Sequence, residues 1–126
     1  MNPTAIEKKI AKLLPKSFQQ QLPRGVTVVT ITEKESQRLS RRYRGKDAAA
    51  NVLSFRYSPD YGEILICPSV IHRDAKMQGN SYGFQLTWMI VHGMIHLAGR
   101  HHEGSKSMAE RSERIEHLIL RKLFAK

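Results

Sequence analysis

The segment FQLTWMIVHGMIHLAGRHH, residues 84–102, decides the fold. From Phe84 to Ala98 its apolar residues cover nearly the whole circumference of a helix, a pattern typical of helices in the interior of a domain. Gly99 is expected to end this helix in the left-handed conformation. The segment therefore predicts a central, buried helix on which the remaining elements pack.

The same segment carries a histidine pattern. His92 and His96 are four residues apart, so their rings project from one face of the helix about one turn apart. His102 follows the turn at Gly99 and can supply a third nitrogen from another direction. Because tetrahedral Zn²⁺ accepts such a set, the pattern predicts one zinc ion on His92, His96 and His102.

The alternative is that His92 and His96 are hydrogen-bonded core histidines. Burying two imidazoles costs a few kcal/mol unless both are paired or coordinated, and no obvious local acid is available to pair with them. Three histidines at this spacing therefore favour the metal. Three protein ligands leave one position open, the pattern of a hydrolytic zinc site, whereas Gly93 stands where a zincin peptidase has its glutamate base.

Outside this segment the pattern alternates between helices and strands. We expect an N-terminal helix from Pro3, a strand over residues 26–31, and a basic helix from the Thr32 cap to Gly45. Residues 51–57 and 62–67 are expected to form two strands, with a hairpin as the favoured connection. These elements predict an α+β fold, a small mixed β-sheet with packed helices, and they leave the strand order open.

A last amphipathic helix is expected after a capping box at Ser107 and Glu110. Its residues predicted to face inwards are Met108, Ile115, Leu118, Ile119 and Leu123.

Size and charge restrict the function. The length predicts a single domain over residues 1–126, and 21 Lys and Arg against 11 Asp and Glu give a net charge of +10. Such an excess favours an anionic partner, RNA or DNA, although charge can also serve solubility alone. Membranes are disfavoured because no apolar run approaches the roughly 20 residues of a spanning helix.

The cellular compartment is predicted from two features. Cys67 is the only cysteine, so no intrachain disulfide can form, and the N-terminal residues contain no apolar core typical of a signal peptide. Both favour the cytoplasm. Cys67 ends an apolar run and is expected to be buried and inert.

Two blocks resemble the YbeY family of metal-dependent endoribonucleases. His92, Gly93, His96, Leu97, Gly99 and His102 match the signature H-G-x-L-H-L-x-G-Y-D-H, and YRGKDAAANVLSF, residues 43–55, is similar to Y-R-x-x-D-x-x-T-N-V-L-S-F. Gly62 and Glu63 also look like the family.

The resemblance implies a zincin-like fold with the metal site on the central helix. It implies a zinc-dependent endoribonuclease that acts on single-stranded RNA, in maturation of the 3′ end of small-subunit ribosomal RNA and in ribosome quality control. It also implies a catalytic Arg44, which could bind a substrate phosphate bidentately; taken alone, Arg44 reads as an ordinary exposed arginine. Arg41, Arg42 and Lys46 are expected to guide the RNA strand.

Three departures from the family affect different inferences. His101 replaces the usual Asp and Arg100 the usual Tyr, and the chain begins later, so a first strand is expected to be missing. Without the acid, the general base stays open, and His101 could replace His102 as a ligand. The sequence does not decide whether water or the ribose 2′-hydroxyl attacks the phosphate. It also does not decide whether the native ion is zinc, nickel or cobalt.

Two other functions remain. The first is a ribosome-associated RNA-binding module with a structural metal and little catalysis. The second is a hydrolase of small phosphate or amide substrates, against which the net charge of +10 counts.

Overall fold

The computed structural model describes residues 2–99 and 106–124. In chain order the described elements are α1 (Pro3–Leu13), α2 (Lys16–Gln19), β1 (Gly25–Thr30), α3 (Glu33–Arg44), β2 (Val52–Ser58), β3 (Tyr61–Ile66), α4 (Pro68–Gln78), α5 (Tyr82–Ala98) and α6 (Lys106–Phe124). The α+β prediction is confirmed.

The three strands form one mixed sheet in the order β1-β3-β2. The central strand β3 runs parallel to β1 and antiparallel to β2, with which it forms the predicted hairpin. The register of the hairpin shifts between Arg56 and Ser58, so Tyr57 has no partner in the ladder. In this strand order β2 forms one edge of the sheet among the described strands, and it lies next to the end of α3.

Side-chain caps fix the ends of the helices where the sequence predicts them. The side chain of Asn2 accepts a hydrogen bond from the Thr4 N–H at 2.9 Å, and Thr32 Oγ1 accepts one from the Glu35 N–H at 3.1 Å. Gly45 ends α3 with a φ of 66°, a conformation that glycine adopts without strain.

The helix α5 is the centre of the hydrophobic core, as predicted. It packs against α1, α4, α6 and one face of the sheet, to which β3 contributes the buried Ile64 and Ile66. Leu65 points to the opposite face, where it packs in a second cluster with Leu39 of α3. The sheet thus separates α5 from α3.

A glycine allows α5 to approach the sheet closely. A Cβ atom on Gly93 would lie 2.9 Å from Ser54 Oγ and 3.0 Å from Ile64 Cγ2. Ser54 Oγ also donates a hydrogen bond to the Gly93 carbonyl at 3.2 Å, which joins β2 directly to the helix backbone. The residue after His92 therefore serves the contact between helix and sheet.

Several details of the sequence prediction are wrong. The helix α4 was not predicted, and α6 begins at Lys106, one residue before the predicted Ser107 cap. Leu118 is 52% exposed, while Leu120 is buried in its place. Gly99 ends α5 with a φ of −112°, so it is not left-handed.

No helix within residues 2–99 or 106–124 is both long and apolar enough to cross a membrane.

We expect Gly93→Ala to lower the free energy of unfolding by about 1–2 kcal/mol. The added methyl group costs roughly 1–3 kcal/mol in overpacking, partly offset by up to about 1 kcal/mol of improved helix propensity. Denaturant unfolding of Gly93→Ala, Ser54→Ala and the double variant measures this. The double variant should lose less stability than the sum of the single variants, because it lacks one of the two clashing atoms. A Gly93→Ala protein as stable as the native one contradicts the prediction.

Candidate functional site

The first element of the site is the pair of histidines on α5. His92 Nε2 and His96 Nε2 lie 3.0 Å apart, so both nitrogens converge on one point beside the helix. Two nitrogens bound to one tetrahedral zinc at about 2.0–2.1 Å lie about 3.3 Å apart, which is close to this arrangement. His92 is half-buried and His96 is exposed, so the expectation that both imidazoles are buried is wrong. The pair fits a metal ion accessible from solvent.

A carboxylate of α6 orients the first histidine. Glu116 Oε2 lies 2.9 Å from His92 Nδ1, and Glu116 Oε1 accepts a hydrogen bond from Trp88 Nε1 at 2.9 Å. Burial raises the pKa of Glu116, but the hydrogen bonds from His92 and Trp88 outweigh this effect and hold the pKa below its ordinary value. The ionised carboxylate can only accept, so His92 donates from Nδ1 and directs Nε2 towards His96.

Glu116 corrects the expectation that no acid is available to the histidines. The contact joins residues 24 positions apart in the chain, and only the packing of α6 on α5 brings them together. The sequence signal that could have found it is weak: a glutamate next to Ile115 on the inward face of an amphipathic helix.

Arg44 lies in the same cleft as the two histidines. The cleft has a volume of about 480 Å³, and its lining includes Tyr43 and Arg44 from the end of α3, Ser54 and Arg56 from β2, and His92 and His96 from α5. Arg44 is exposed at the C-terminal residue of α3, where the chain turns at Gly45. The structure thus brings together three of the residues predicted for the site.

The other predicted arginines and the lysine do not line this cleft. Arg41 forms an ion pair with Asp47 through Nη2, and its Nε donates to the same carboxylate at 2.9 Å. Arg42 lies over the ring of Tyr43, with its Cζ 5.4 Å from the ring centroid. Lys46 is exposed two residues beyond Arg44. These residues lie in or just after the last turn of α3, near Arg44 in the chain, and do not form the wall of the cleft.

Sequence reasoning missed Arg56, which supports the floor of the cleft. Its guanidinium donates to the Leu97 carbonyl at 2.9 Å and also to the carbonyl of Gln21. It therefore ties β2 to the last turn of α5, next to His96. Arg56 directly follows the second block, and its sequence gave no signal for this role, because its partners are backbone carbonyls.

The predicted ligand His102 and the two departures Arg100 and His101 lie outside the described residues, as does the side chain of Met108, which was predicted to face inwards. Within residues 2–99 and 106–124, no three His, Cys, Asp or Glu side chains are arranged to hold one ion. Glu116 meets His92 at Nδ1, on the other side of the ring from Nε2, so it can orient the ring but cannot share an ion bound at Nε2.

Comparison with known proteins decides the family. The family model described as Endoribonuclease YbeY matches residues 2–123. The chain belongs to the YbeY family. Among its curated relatives, each named Endoribonuclease YbeY, the protein of Aromatoleum aromaticum is 41% identical over 98 residues and that of Bdellovibrio bacteriovorus is 38% identical over 92 residues.

The coverage of these relatives is incomplete. The alignments include 75% and 71% of this chain but 63% and 61% of the relatives, so the chain spans less than two thirds of their length. The fold has a counterpart in the solution structure of TM1509 from Thermotoga maritima, with a TM-score of 0.61 and 25% identity. That match covers 95% of this chain and 85% of TM1509.

Beside the cleft of this YbeY-family chain lies a row of aromatic rings: Tyr43, Phe55, Tyr57 and Tyr61. The hydroxyl of Tyr57 donates to Glu63 Oε1 at 2.8 Å, and that of Tyr61 donates to Glu63 Oε2 at 3.2 Å. The hydrogen bond to Glu63 is the main cause that raises the pKa of Tyr57 from 10.0 to about 12. One carboxylate therefore holds two tyrosines by their hydroxyl groups.

The Tyr57 hydroxyl should ionise near pH 12 in the folded protein. Because the folded-state pKa is raised, the stabilisation from this group is complete below pH 10.0 and is lost as the pH rises through about 12. Tyrosinate absorbance of native protein minus Tyr57→Phe isolates the titration, with circular dichroism to verify that the fold persists. Glu63→Gln should move the midpoint back towards 10.0, since the negative charge is gone. If the absorbance difference between native protein and Tyr57→Phe titrates with a midpoint near 10.0, the hydrogen bond from Tyr57 to Glu63 does not form in solution.

Proposed function

We propose that this chain is a zinc-dependent single-strand endoribonuclease of the cytoplasm. Its substrate would be ribosomal RNA, at the 3′ end of the small-subunit RNA, during ribosome maturation and quality control. One zinc ion would be held by His92, His96 and His102 in a single metallohydrolase domain. The observation that carries the proposal is the cleft that combines converging His92 and His96 nitrogens with Arg44, in a chain of the endoribonuclease YbeY family.

The metal ligands are supported by the geometry of α5. The nitrogens of His92 and His96 already lie within a few tenths of an ångström of the separation that one tetrahedral ion requires. Glu116 fixes the ring of His92, so less conformational freedom is lost on binding. When bound, zinc supplies a Lewis acid that polarises phosphate oxygens and lowers the pKa of water.

Arg44 would bind the phosphate at the cleavage site. Its guanidinium is planar and permanently charged, and it can donate two parallel hydrogen bonds to phosphate oxygens in the same cleft as the histidines. Arg42 and Lys46 would attract the RNA backbone towards the entrance. Arg41 would contribute less, because Asp47 neutralises it. These charges are part of the net charge of +10 of the whole chain.

One observation favours an RNA-binding module with a structural metal as the second candidate. The described residues that line the cleft include no aspartate or glutamate, so none of them offers a carboxylate base. Turnover would then depend on the imidazoles, on the metal or on the ribose 2′-hydroxyl. A protein that binds RNA without cutting it could have the same residues lining its cleft.

Cleavage of single-stranded ribosomal RNA tests the proposal. Purified native protein, chelator-treated protein and His96→Ala are compared, with metal content measured in parallel. We expect cleavage and one bound zinc to be lost together. Arg44→Ala should lower kcat roughly 10²-fold with the metal retained, whereas Arg121→Ala on α6 should have no effect. Detection of a 2′,3′-cyclic phosphate end shows attack by the ribose hydroxyl.

The outcomes separate the two candidates. Equal cleavage by native, chelator-treated and His96→Ala protein exposes a contaminating nuclease and refutes the proposal. Metal-containing protein that binds RNA without cutting it supports the binding module.

Glu116→Gln should weaken zinc binding about 10- to 100-fold. The amide keeps the volume of the side chain but loses the charge, and it can accept only one of the two hydrogen bonds from His92 and Trp88. Competition with a chromogenic chelator measures the affinity. Glu113→Gln is the matched control, because Glu113 lies on the same helix and its ion-pair contact is with the exposed His117. If both variants bind zinc as the native protein does, Glu116 has no effect on the ligand.

A further inference from the structure

We propose that the aromatic row Tyr43, Phe55, Tyr57 and Tyr61 is a stacking site for the bases of single-stranded RNA. This inference rests on the proposed function, because it names how the substrate of the same cleft is held beyond its phosphates. Tyr57 and Tyr61 lie outside both sequence blocks that resemble the family.

Three of the rings are strongly exposed, one at the end of α3 and two in the hairpin. Tyr43 is 58% exposed, Tyr57 59% and Tyr61 38%. Cross-strand packing accounts for Phe55, which is partly buried against the cluster below α3. It does not account for the other rings, whose apolar surface is left in water.

Three of the rings are also nearly parallel, whereas Tyr43 meets Phe55 edge to face at 67°. Phe55 and Tyr57 are inclined by 21° with centroids 6.2 Å apart, and Tyr57 and Tyr61 by 18° with centroids 5.7 Å apart. These separations exceed the roughly 3.5–4.0 Å of direct carbon contact, so neighbouring rings overlap only in part. Tyr57 and Tyr61, which are 59% and 38% exposed, therefore keep ring surface open to a flat ligand.

Glu63 holds the outer rings in place before any ligand arrives. Its two oxygens accept the hydroxyl groups of Tyr57 and Tyr61, and Tyr57 lies at the bulge where the ladder of β2 is interrupted. Rings fixed in this way lose little rotational freedom when a base stacks on them. A hydrogen-bonded pair of exposed rings is what a preorganised stacking surface requires.

The row is continuous with the catalytic cleft. Tyr43 and Phe55 line the cleft that contains His92 and His96, and they also line a second depression of about 460 Å³ with Tyr57 and Glu63. Their centroids are 5.2 Å apart. A strand whose phosphate lies at Arg44 can thus extend its neighbouring bases along the row.

The chemistry of the row selects single strands. Every base has a flat face, so stacking tolerates any sequence, but bases paired inside a duplex cannot reach a protein ring. Arg42, which lies over Tyr43, brings a positive charge to the first ring, as a phosphate backbone requires. An anionic, flexible strand with unpaired bases fits both features.

Binding of two probes separates stacking from phosphate contacts. The protein as purified is titrated with a fluorescent 2′-O-methyl oligoadenylate and with an abasic oligomer of equal length and charge, and probe integrity is checked afterwards. Tyr57→Leu and Tyr61→Leu should each weaken oligoadenylate binding about fivefold or more, and abasic binding should stay unchanged. Tyr57→Phe keeps the ring but loses its hydrogen bond to Glu63, so it should lose much less affinity for oligoadenylate than Tyr57→Leu does.

The controls decide between the explanations. Phe124→Leu removes an exposed ring that packs on Phe84 of α5 and should leave both affinities unchanged. Arg44→Ala should weaken both probes. Native affinity in both leucine variants, or equal losses in Tyr57→Leu and Tyr57→Phe, overturns the stacking site. Metal-dependent cleavage is measured separately. If cleavage is absent but Tyr57→Leu binds oligoadenylate more weakly, only the proposed catalysis is refuted. If cleavage is present but Tyr57→Leu binds with native affinity, only the stacking site is refuted.

Discussion

The close approach of α5 to the sheet at Gly93 is the constraint on which the site depends. Because this residue has no Cβ, the helix backbone comes near enough for Ser54 to bond to the Gly93 carbonyl, and Arg56 bonds to the Leu97 carbonyl one turn later. Together these contacts fix the helix against β2. His92 and His96 are therefore held next to this strand, opposite the end of α3 that carries Arg44.

The C-terminal helix contributes to the site through one buried carboxylate. Leaving a carboxylate in the core without partners would cost several kcal/mol, and Glu116 avoids this cost because each of its oxygens has a donor, Trp88 or His92. The same bonds set the tautomer of His92. The contact that packs α6 on α5 thus also orients the proposed ligand His92, so the orientation of His92 depends on the folded state of the core.

Much of this arrangement could be predicted from sequence, and the failures have physical causes. The period of α5 and the caps at Asn2 and Thr32 are local signals, so those helices were predicted correctly. The helix α4 was missed although Pro68 begins it and Gly79 ends it, because its apolar residues are sparse. Leu118 was wrongly assigned to the core because the inward face of α6 was predicted at a slightly wrong rotation about the helix axis. The true face contains Leu120 and leaves Leu118 exposed.

Tertiary contacts limited the prediction of the site itself. His92 and His96 are close in the chain and could be paired from their spacing, whereas Glu116 and the row beyond Phe55 depend on how separate elements meet. The bulge at Tyr57 is the sharpest example, since strict alternation along β2 gives no reason for an extra residue there. Once that residue leaves the ladder, its hydroxyl shares Glu63 with Tyr61, and two exposed rings become a fixed pair. The pattern of β2 predicts only a solvent-facing surface here, whereas the folded chain holds two exposed rings in the fixed arrangement on which we propose that a base stacks.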